Sequence, residues 1–271
     1  MAPVITLTTD FGLADAYVAA MKGVILSVNP GATLVDISHQ VPPGAVQQAA
    51  FILTCAYPYF PPDSIHLAVV DPEVGTHRRA IVLATNEGTF IGPDNGVLSA
   101  ALPEEVREAA PGRPRPAVLP PGVRAFALSE PRFHHQPVSS TFHGRDVFAP
   151  AAAHLSLGVS PAELGPEIRE AVALPPFRAT AGEDGSLTGR VLHVDRFGNL
   201  ITTVRAGQLQ SALVSVSIAG RELRGLARTY AGAHGLTAIV GSSGFLEIAL
   251  PGGSAARELA AGIGALVIVR I

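Results

Sequence analysis

Residues 4–37 read VITLTTDFGLADAYVAAMKGVILSVNPGATLVDI, and this stretch contains both of the hydrophobic periods on which the fold depends. The short β-branched run at residues 4–8 predicts a strand. Apolar residues spaced near 3.6 over residues 15–28 predict a helix, which Asn29-Pro30-Gly31 ends. Residues 33–37 predict a second strand. Strand, helix and strand in this order indicate a parallel sheet covered by helices.

The same alternation continues along the first part of the chain. Residues 44–57 predict a helix, residues 65–70, 80–85 and 89–91 predict strands, and residues 147–157 predict another helix. The proline-rich and charged residues 103–121 predict an irregular connection. We therefore expect an α/β domain whose sheet is mostly parallel and flanked by helices on both faces.

The pattern changes after Leu174-Pro175-Pro176. Short strands separated by Gly, Asn and Ser turns then follow one another without helices; they are predicted at residues 189–194, 200–204, 213–218, 237–240, 245–250 and 265–271. This arrangement predicts a smaller antiparallel β-barrel-like domain. The predicted boundary therefore divides the chain into residues 1–175 and 176–271.

Composition excludes several classes of protein. The chain is 48% hydrophobic and only 15% charged, which is enough apolar material for a large core and argues against disorder. A net charge of -3 argues against nucleic acid as a partner. No apolar run reaches the ~20 residues of a membrane span, and Met1 leads straight into a strand pattern with no charged leader. We expect a soluble, cytoplasmic protein with no membrane partner.

Two aspartates directly follow predicted strands. Asp10 follows the first strand and Asp71 the third, and ligands of open α/β sheets bind at such strand ends. The carboxylate of Asp10 can accept hydrogen bonds from the two hydroxyls of a ribose. Alternatively Asp10 caps the next helix, although Asp15 stands closer to the start of that helix and can cap it instead.

Arg78 and His143 are candidate partners of Asp71. An arginine seven residues after Asp71 can fold back and hold that carboxylate ionised and oriented. The alternative is an ordinary turn aspartate beside solvated arginines. A lone histidine is more often structural than catalytic, but His143 precedes a predicted helix and has polar neighbours, which favour a functional role more than for an average histidine. No cluster of residues has metal-ligand spacing, so we predict no metal site.

Polar side chains also occupy two turns in the second part of the chain. Asn199 of Asp195-Arg196-Phe197-Gly198-Asn199 offers both a donor and an acceptor, as a purine edge or a sugar hydroxyl requires. Ser242 and Ser243 lie between two glycines, where hydroxyls and backbone N–H groups can hold a carboxylate. Each segment can equally be a tight hairpin turn. The chain has neither a Walker-type phosphate loop nor a Gly-x-Ser-x-Gly elbow.

Five motifs, taken in order, resemble one protein family, the SAM hydroxide adenosyltransferases, which are adenosine-forming hydrolases of S-adenosyl-L-methionine (SAM) related to fluorinase and chlorinase. The motifs are Thr9-Asp10-Phe11-Gly12, Asp71-Pro72-x-Val74-Gly75-Thr76-x-Arg78, Gly92-Pro93-Asp94-Asn95-Gly96, Phe142-His143-Gly144-Arg145-Asp146 and Asp195-x-Phe197-Gly198-Asn199. Each motif is weak alone, but their joint order is specific. The resemblance covers nearly the whole chain.

The resemblance implies a substrate, a reaction and a set of roles. SAM is the substrate rather than a cofactor, and no other cofactor is implied. Asp71, Arg78 and His143 would direct a water molecule onto C5′ of SAM, giving adenosine and L-methionine. Asp10 would bind the ribose and Asp15 the methionine amino group, while contacts to the methionine and adenosine parts would come from Asp195, Asn199, Ser242 and Ser243. The resemblance also implies a homotrimer with SAM bound between neighbouring subunits.

The sequence departs from the family pattern at two positions, and other functions stay open. Glu73 stands where the family loop usually has glycine, and Gly44 aligns with a large aromatic residue that covers the sugar in related enzymes. One alternative function is a halogenase that uses chloride or fluoride as the nucleophile. Another is a protein that binds SAM or adenosine without catalysis.

Overall fold

The computed structural model describes residues 4–108, 112–209 and 214–270. Contacts within the chain divide it into two compact units, Met1–Pro176 and Phe177–Ile271. This division lies one residue from the boundary predicted at residue 175.

The first unit alternates strands and helices over its first half and is richer in strands afterwards. Its elements are β1 (Val4–Thr9), α1 (Tyr17–Val28), β2 (Thr33–Ser38), α2 (Val46–Ala56), β3 (Ile65–Val69), β4 (Ala80–Thr85), β5 (Gly88–Pro93), α3 (Glu104–Glu108), β6 (Arg115–Val118), β7 (Arg124–Ala127), α4 (Ala149–Ser156), β8 (Glu167–Ile168) and β9 (Glu170–Ala173).

Seven of these strands form one sheet in the order β2-β1-β3-β5-β4-β7-β8. The pairs β1–β2, β1–β3 and β3–β5 are parallel, so the core of the sheet confirms the predicted α/β class. The pairs from β5 through β4 and β7 to β8 are antiparallel. The short connection between β4 and β5 explains part of this edge, because parallel neighbours need a long crossover.

Helices cover both faces of this sheet. The strand β3 is buried along its whole length, and its alternate side chains enter different cores. Leu67 packs in a core with Met21 of α1 and Phe148 before α4. Ala68 packs in a second core with Leu53 of α2. The sheet is therefore packed on both faces, and loops project from the ends of its strands.

In its described residues, the second unit consists mainly of strands, which are β10 (Thr180–Ala181), β11 (Leu187–Val194), β12 (Leu200–Arg205), β13 (Ser215–Ile218), β14 (Arg221–Arg224), β15 (Thr237–Val240), β16 (Phe245–Ala249) and β17 (Leu266–Arg270), together with a short α-helix, α5 (Ala255–Glu258). The sheet runs β14-β13-β17-β11-β12-β16-β15, with β10 beside β11. A further bridge joins Ala227 to Ile239 of β15, so the antiparallel sheet is nearly closed into a barrel, as predicted.

Two predicted elements differ from the structure. Residues 103–121 contain α3 and β6 as well as turns, because β6 pairs with β9, more than fifty residues away, and local proline content carries no information about that pairing. The helix predicted at residues 147–157 starts earlier, with one turn of π-helix at Gly144–Phe148 that leads into α4. Leu213 and Ile271, the start of one predicted strand and the end of another, lie outside the described residues.

Within the described residues, no helix has the length and apolar character that crossing a membrane requires.

Candidate active site

The first and third strands deliver Asp10 and Asp71 to the same edge of the sheet. The last residues of these strands, Thr9 and Val69, are direct partners in the parallel ladder. The carboxyl ends of parallel strands meet at one edge, where ligands of open α/β sheets bind. The sequence reasoning that selected these two aspartates relied on this property.

Asp71 and Arg78 form a buried ion pair, with only 5% and 6% of their side chains exposed. Arg78 Nε donates to both carboxylate oxygens, at 3.0 Å to Oδ1 and 2.9 Å to Oδ2, and the guanidinium also donates to Oδ2 through Nη2. The guanidinium lies over the ring of Phe148, 5.3 Å from its centroid. These contacts fix the carboxylate in one orientation.

The same guanidinium reaches the imidazole of His143. Arg78 Nη2 lies 2.7 Å from His143 Nδ1. A guanidinium can only donate, so Nδ1 accepts and the proton of the neutral imidazole is on Nε2. Burial, and then the charge of Arg78, hold the pKa of His143 below its usual value. The structure thus joins Asp71, Arg78 and His143 into one cluster with a neutral histidine.

A turn of π-helix carries His143 into this cluster. The turn at Gly144–Phe148 begins directly after His143, and π-helical turns occur frequently at functional sites. The fully buried Asp146 accepts a hydrogen bond from the backbone N–H of Ser139 at 2.8 Å and two from the Arg145 guanidinium. Asp146 therefore ties the loop before His143 to the helix after it, a role that the sequence reasoning missed although Asp146 stands in the quoted motif.

The loop between β3 and β4 touches the loop before His143 at a glycine. Gly75 has a positive φ of 79°, and a Cβ added there would lie 2.5 Å from the carbonyl oxygen of Ser140. The two loops can approach this closely only without a side chain at residue 75. Glu73, the departure from the family pattern in this loop, is exposed to solvent.

Asp10 is held by a backbone group of the other departure, Gly44. The N–H of Gly44 donates to Asp10 Oδ2 at 2.8 Å, and Gly44 has a positive φ of 71°. Neither aspartate caps α1, whose N-cap residue is Ala16 without a side-chain hydrogen bond. The capping interpretation of Asp10 and Asp15 was therefore wrong. Asp15 is exposed just before the helix.

In the second unit, Asp195 and Asn199 are paired across one turn. Asp195 Oδ1 accepts from the backbone N–H groups of Phe197 and Asn199, at 2.9 and 2.8 Å, and Oδ2 accepts from Asn199 Nδ2 at 2.9 Å. These bonds shape the turn, and they leave the Asn199 side-chain carbonyl as an acceptor. The structural and the functional interpretations of this turn are therefore compatible.

Ser242 and Ser243 lie in the turn between β15 and β16. Ser242 is exposed, whereas the Ser243 hydroxyl is buried and has no hydrogen-bond partner among the described residues. The carboxylate of Glu247 lies against Gly241 of this turn, and it accepts a hydrogen bond from Tyr230 Oη at 2.9 Å. Burial, and secondarily the nearby Asp195, raise the pKa of Glu247, although the bond from Tyr230 opposes this. The sequence reasoning missed Glu247, since its position in a strand gives no local signal.

Among the residues that the structure describes, no three His, Cys, Asp or Glu side chains come together in a way that could hold a metal ion.

Strand-end carboxylates, an Asp–Arg–His cluster around a buried ion pair and a barrel-shaped sheet later in the chain place this protein among the α/β proteins, a class in which small molecules bind at the strand-end edge of the sheet. The chain matches the SAM hydroxide adenosyltransferase N-terminal domain at residues 5–165 and the C-terminal domain of the same family at residues 189–268. It belongs to the SAM hydroxide adenosyltransferase family.

Individual relatives agree with this assignment. The chain is 43% identical over 268 residues to an (R)-S-adenosyl-L-methionine hydrolase of Thermus thermophilus, covering 96% of each protein. A fluorinase of Actinoplanes is more distant, at 25% identity over 78% of this chain and 74% of the relative. The crystal structure of an uncharacterized conserved protein from Thermotoga maritima superposes with a TM-score of 0.85 at 32% identity, covering 98% of this chain and all of that one.

Proposed function

We propose that this protein is a SAM hydrolase that uses water to split SAM into adenosine and L-methionine. The observation that carries the proposal is the contact of His143 with the buried Asp71–Arg78 ion pair at the strand-end edge of the sheet. Membership of the family supports the same reaction.

The difficult part of this reaction is the attack by the nucleophile, because the leaving group departs readily. Water oxygen attacks C5′ while the C5′–S bond breaks, and the bonding pair goes to sulfur, so methionine leaves as a neutral thioether without a general acid. The attacking water loses one proton to a base. Neutral water is a weak nucleophile, so fixing it in line with the C–S bond is the main task of the protein.

The geometry distributes these tasks among the three side chains. His143 Nε2–H is a donor, so it can orient the water by bonding to one of its lone pairs, and it cannot accept the proton at that atom. The Asp71 carboxylate is the remaining acceptor, and we assign it as the base. Arg78 holds both partners and stabilises the negative charge that develops on the oxygen.

The binding roles of the other residues belong to the same proposal. Asp10 would receive the ribose hydroxyls and Asp15 the methionine amino group. Asp195, Asn199, Ser242 and Ser243 would contact the methionine and adenosine parts. The Ser243 hydroxyl, which has no hydrogen-bond partner in the described part of the chain, supports this, as does the Asn199 side chain, which bonds to Asp195 through Nδ2 and not through its carbonyl oxygen. The proposal also includes a homotrimer with a site shared between neighbouring subunits, a cytoplasmic location and the absence of a further cofactor.

The decisive experiment is incubation of the purified protein with SAM in ¹⁸O-labelled water. We expect the label in the adenosine 5′-hydroxyl, which water attack at C5′ requires, together with equimolar methionine. A 5′-halo-adenosine formed in the presence of chloride or fluoride would instead favour the halogenase alternative. A stable complex with intact SAM would favour the non-catalytic alternative.

A matched pair of variants tests the base. Asp71→Asn removes the ionised acceptor after β3, whereas Asp63→Asn changes an exposed aspartate before the same strand. We expect Asp71→Asn to lose at least ~100-fold in kcat, as general-base catalysis is worth, and Asp63→Asn to retain full activity. Unchanged turnover in the Asp71 variant would refute the assignment.

A further inference from the structure

A series of contacts between polar side chains leads from partly exposed Lys22 and Asp36 to buried His39 and Thr9, the residue beside Asp10. Lys22 Nζ, on the only lysine of the sequence, donates to Asp36 Oδ2 at 2.6 Å. Asp36 Oδ1 lies 3.1 Å from His39 Nε2, and His39 Nδ1 lies 2.8 Å from Thr9 Oγ1. The His39 side chain is 2% exposed and Thr9 is fully buried.

These contacts depend on the charge of Asp36 at one end and on the hydrogen bonds of Thr9 at the other. Burial opposes ionisation of Asp36, but the contacts with Lys22 and His39 outweigh it, so the pKa of this carboxyl lies below its usual value. The Thr9 hydroxyl is hydrogen-bonded to His39 Nδ1, whereas the approach of Asp36 Oδ1 to His39 Nε2 at 3.1 Å is an electrostatic contact without hydrogen-bond geometry. Thr9 Oγ1 in turn accepts from the backbone N–H of Phe11, at 3.3 Å.

This series of contacts ends at the backbone on either side of Asp10. Thr9 and Phe11, the two neighbours of Asp10, are joined through the Thr9 hydroxyl. His39 also accepts a hydrogen bond through its carbonyl oxygen from the N–H of Gly12, at 2.8 Å. His39 therefore forms hydrogen bonds on both sides of Asp10, with Thr9 before it and Gly12 after it. The Asp10 carboxylate itself accepts a hydrogen bond from the Gly44 N–H.

We propose that Asp36, His39 and Thr9 form a positioning relay that fixes Asp10 for binding the ribose of the substrate. The relay touches neither the reacting carbon nor the attacking water, so it acts on substrate affinity and leaves the chemical step unchanged. The inference rests on the proposed function, since it assigns Asp10 to the ribose hydroxyls.

The same strand supplies a matched control. Thr6, three residues earlier on β1, makes an equivalent buried contact with a histidine, from Oγ1 to His66 Nδ1 at 2.9 Å. Thr6 and His66 are both fully buried. Thr9→Val and Thr6→Val therefore remove the same chemical group from the same kind of partner, but only Thr9 adjoins Asp10.

We expect Thr9→Val to raise KM for SAM about tenfold with kcat within about twofold, because the variant loses binding energy that is equal in the ground state and the transition state. Thr6→Val should lower the melting temperature about as much as Thr9→Val does, but it should leave KM unchanged. His39→Asn keeps an amide near the position of Nδ1 but loses the contact with Asp36, so its KM should lie between those of the native protein and Thr9→Val, whereas His39→Gln loses the contact with Thr9 and should behave like Thr9→Val.

Equal changes of KM in the two threonine variants, or no change in either, would overturn the relay. Asp10→Asn separates this failure from that of the proposed function. If Asp10→Asn raises KM and Thr9→Val does not, the relay fails while the ribose role of Asp10 stands. If Asp10→Asn leaves KM unchanged, the ribose role fails and the relay fails with it, whether or not SAM is hydrolysed.

Discussion

At the scale of single residues, Arg78 is the centre of the proposed water-handling cluster. The sequence indicated that Arg78 could fold back on Asp71, and the structure shows that it does. It also shows that the guanidinium donates to His143, which no spacing along the chain could reveal. One arginine thus determines both the orientation of the carboxylate and the tautomer of the imidazole.

The acid limb of the pH–rate profile should report His143. Its pKa lies below the ordinary 6.5, so the neutral, working form persists to lower pH than for an exposed histidine. We therefore expect kcat/KM to stay constant as pH falls to 6.5 and to decline only below it. An acid limb centred at or above 6.5 would contradict this assignment of the cluster.

His66 should make the fold sensitive to acid. Burial lowers the pKa of His66 to about 4 from 6.5, so between these values the unfolded chain binds a proton that the folded chain does not. Its contribution to stability is therefore complete above pH 6.5 and is lost as pH falls toward 4, by about 3 kcal/mol in all.

Urea unfolding of the native protein and the double variant Thr6→Val/His66→Phe, measured across this pH range, tests this contribution. The double variant removes the titrating group together with its hydrogen-bond partner. Its stability should depend less steeply on pH than that of the native protein. Parallel curves would show that His66 does not contribute.

At the scale of elements, the site depends on two loops that touch at a single glycine. The loop after β3 carries Asp71 and Arg78, and the loop before the π-helical turn leads to His143. Gly75 lies against the carbonyl oxygen of Ser140. The packing of these loops, rather than the sheet alone, brings the three proposed catalytic side chains together.

Gly75→Ala should separate these loops. The added Cβ would meet the Ser140 carbonyl, so one loop must move, and we expect kcat/KM to fall by at least about tenfold, since small displacements of positioned groups are costly. Gly122→Ala is the control, because Gly122 has a similar positive φ of 91° but no heavy atom within 4 Å of an added Cβ. A comparable loss of activity in both variants would attribute the effect to backbone strain alone.

At the scale of the whole molecule, each unit has a hydrophobic core of its own. The core of the second unit includes Leu200, Val216, Leu246, Ile248 and Val269, all of them buried. A sheet that is nearly closed leaves little edge to be covered. These features predict that the second unit is stable by itself.

We expect a fragment of residues 177–271 to fold cooperatively, with a sigmoidal thermal transition and native-like β circular dichroism. The predicted binding residues are divided between the units, so neither this fragment nor residues 1–176 alone should release methionine from SAM. A fragment of residues 1–176 with full activity would contradict the binding roles proposed for Asp195, Asn199, Ser242 and Ser243.

The sequence predicted much of the fold because the relevant signals are local. The periods of β1 and α1 placed both elements within two residues of their observed bounds, and the shift to short strands predicted the second sheet. The same reasoning was wrong about residues 103–121, where β6 forms by pairing with the distant β9. Strand pairs of this kind are stabilised by partners that a local pattern does not contain.

By itself, the sequence determined the α/β class, the barrel-like second sheet and the candidates Asp10, Asp71 and Arg78, because strand periodicity and strand-end position are properties of neighbouring residues. The tertiary structure alone decided that His143 contacts Arg78, that the Gly44 N–H donates to Asp10 and that His39 is hydrogen-bonded to Thr9 beside Asp10. Each of these contacts joins residues from 30 to 65 positions apart. Such contacts depend on how sheet, helices and loops pack, and hydrogen bonds act only over about 3 Å.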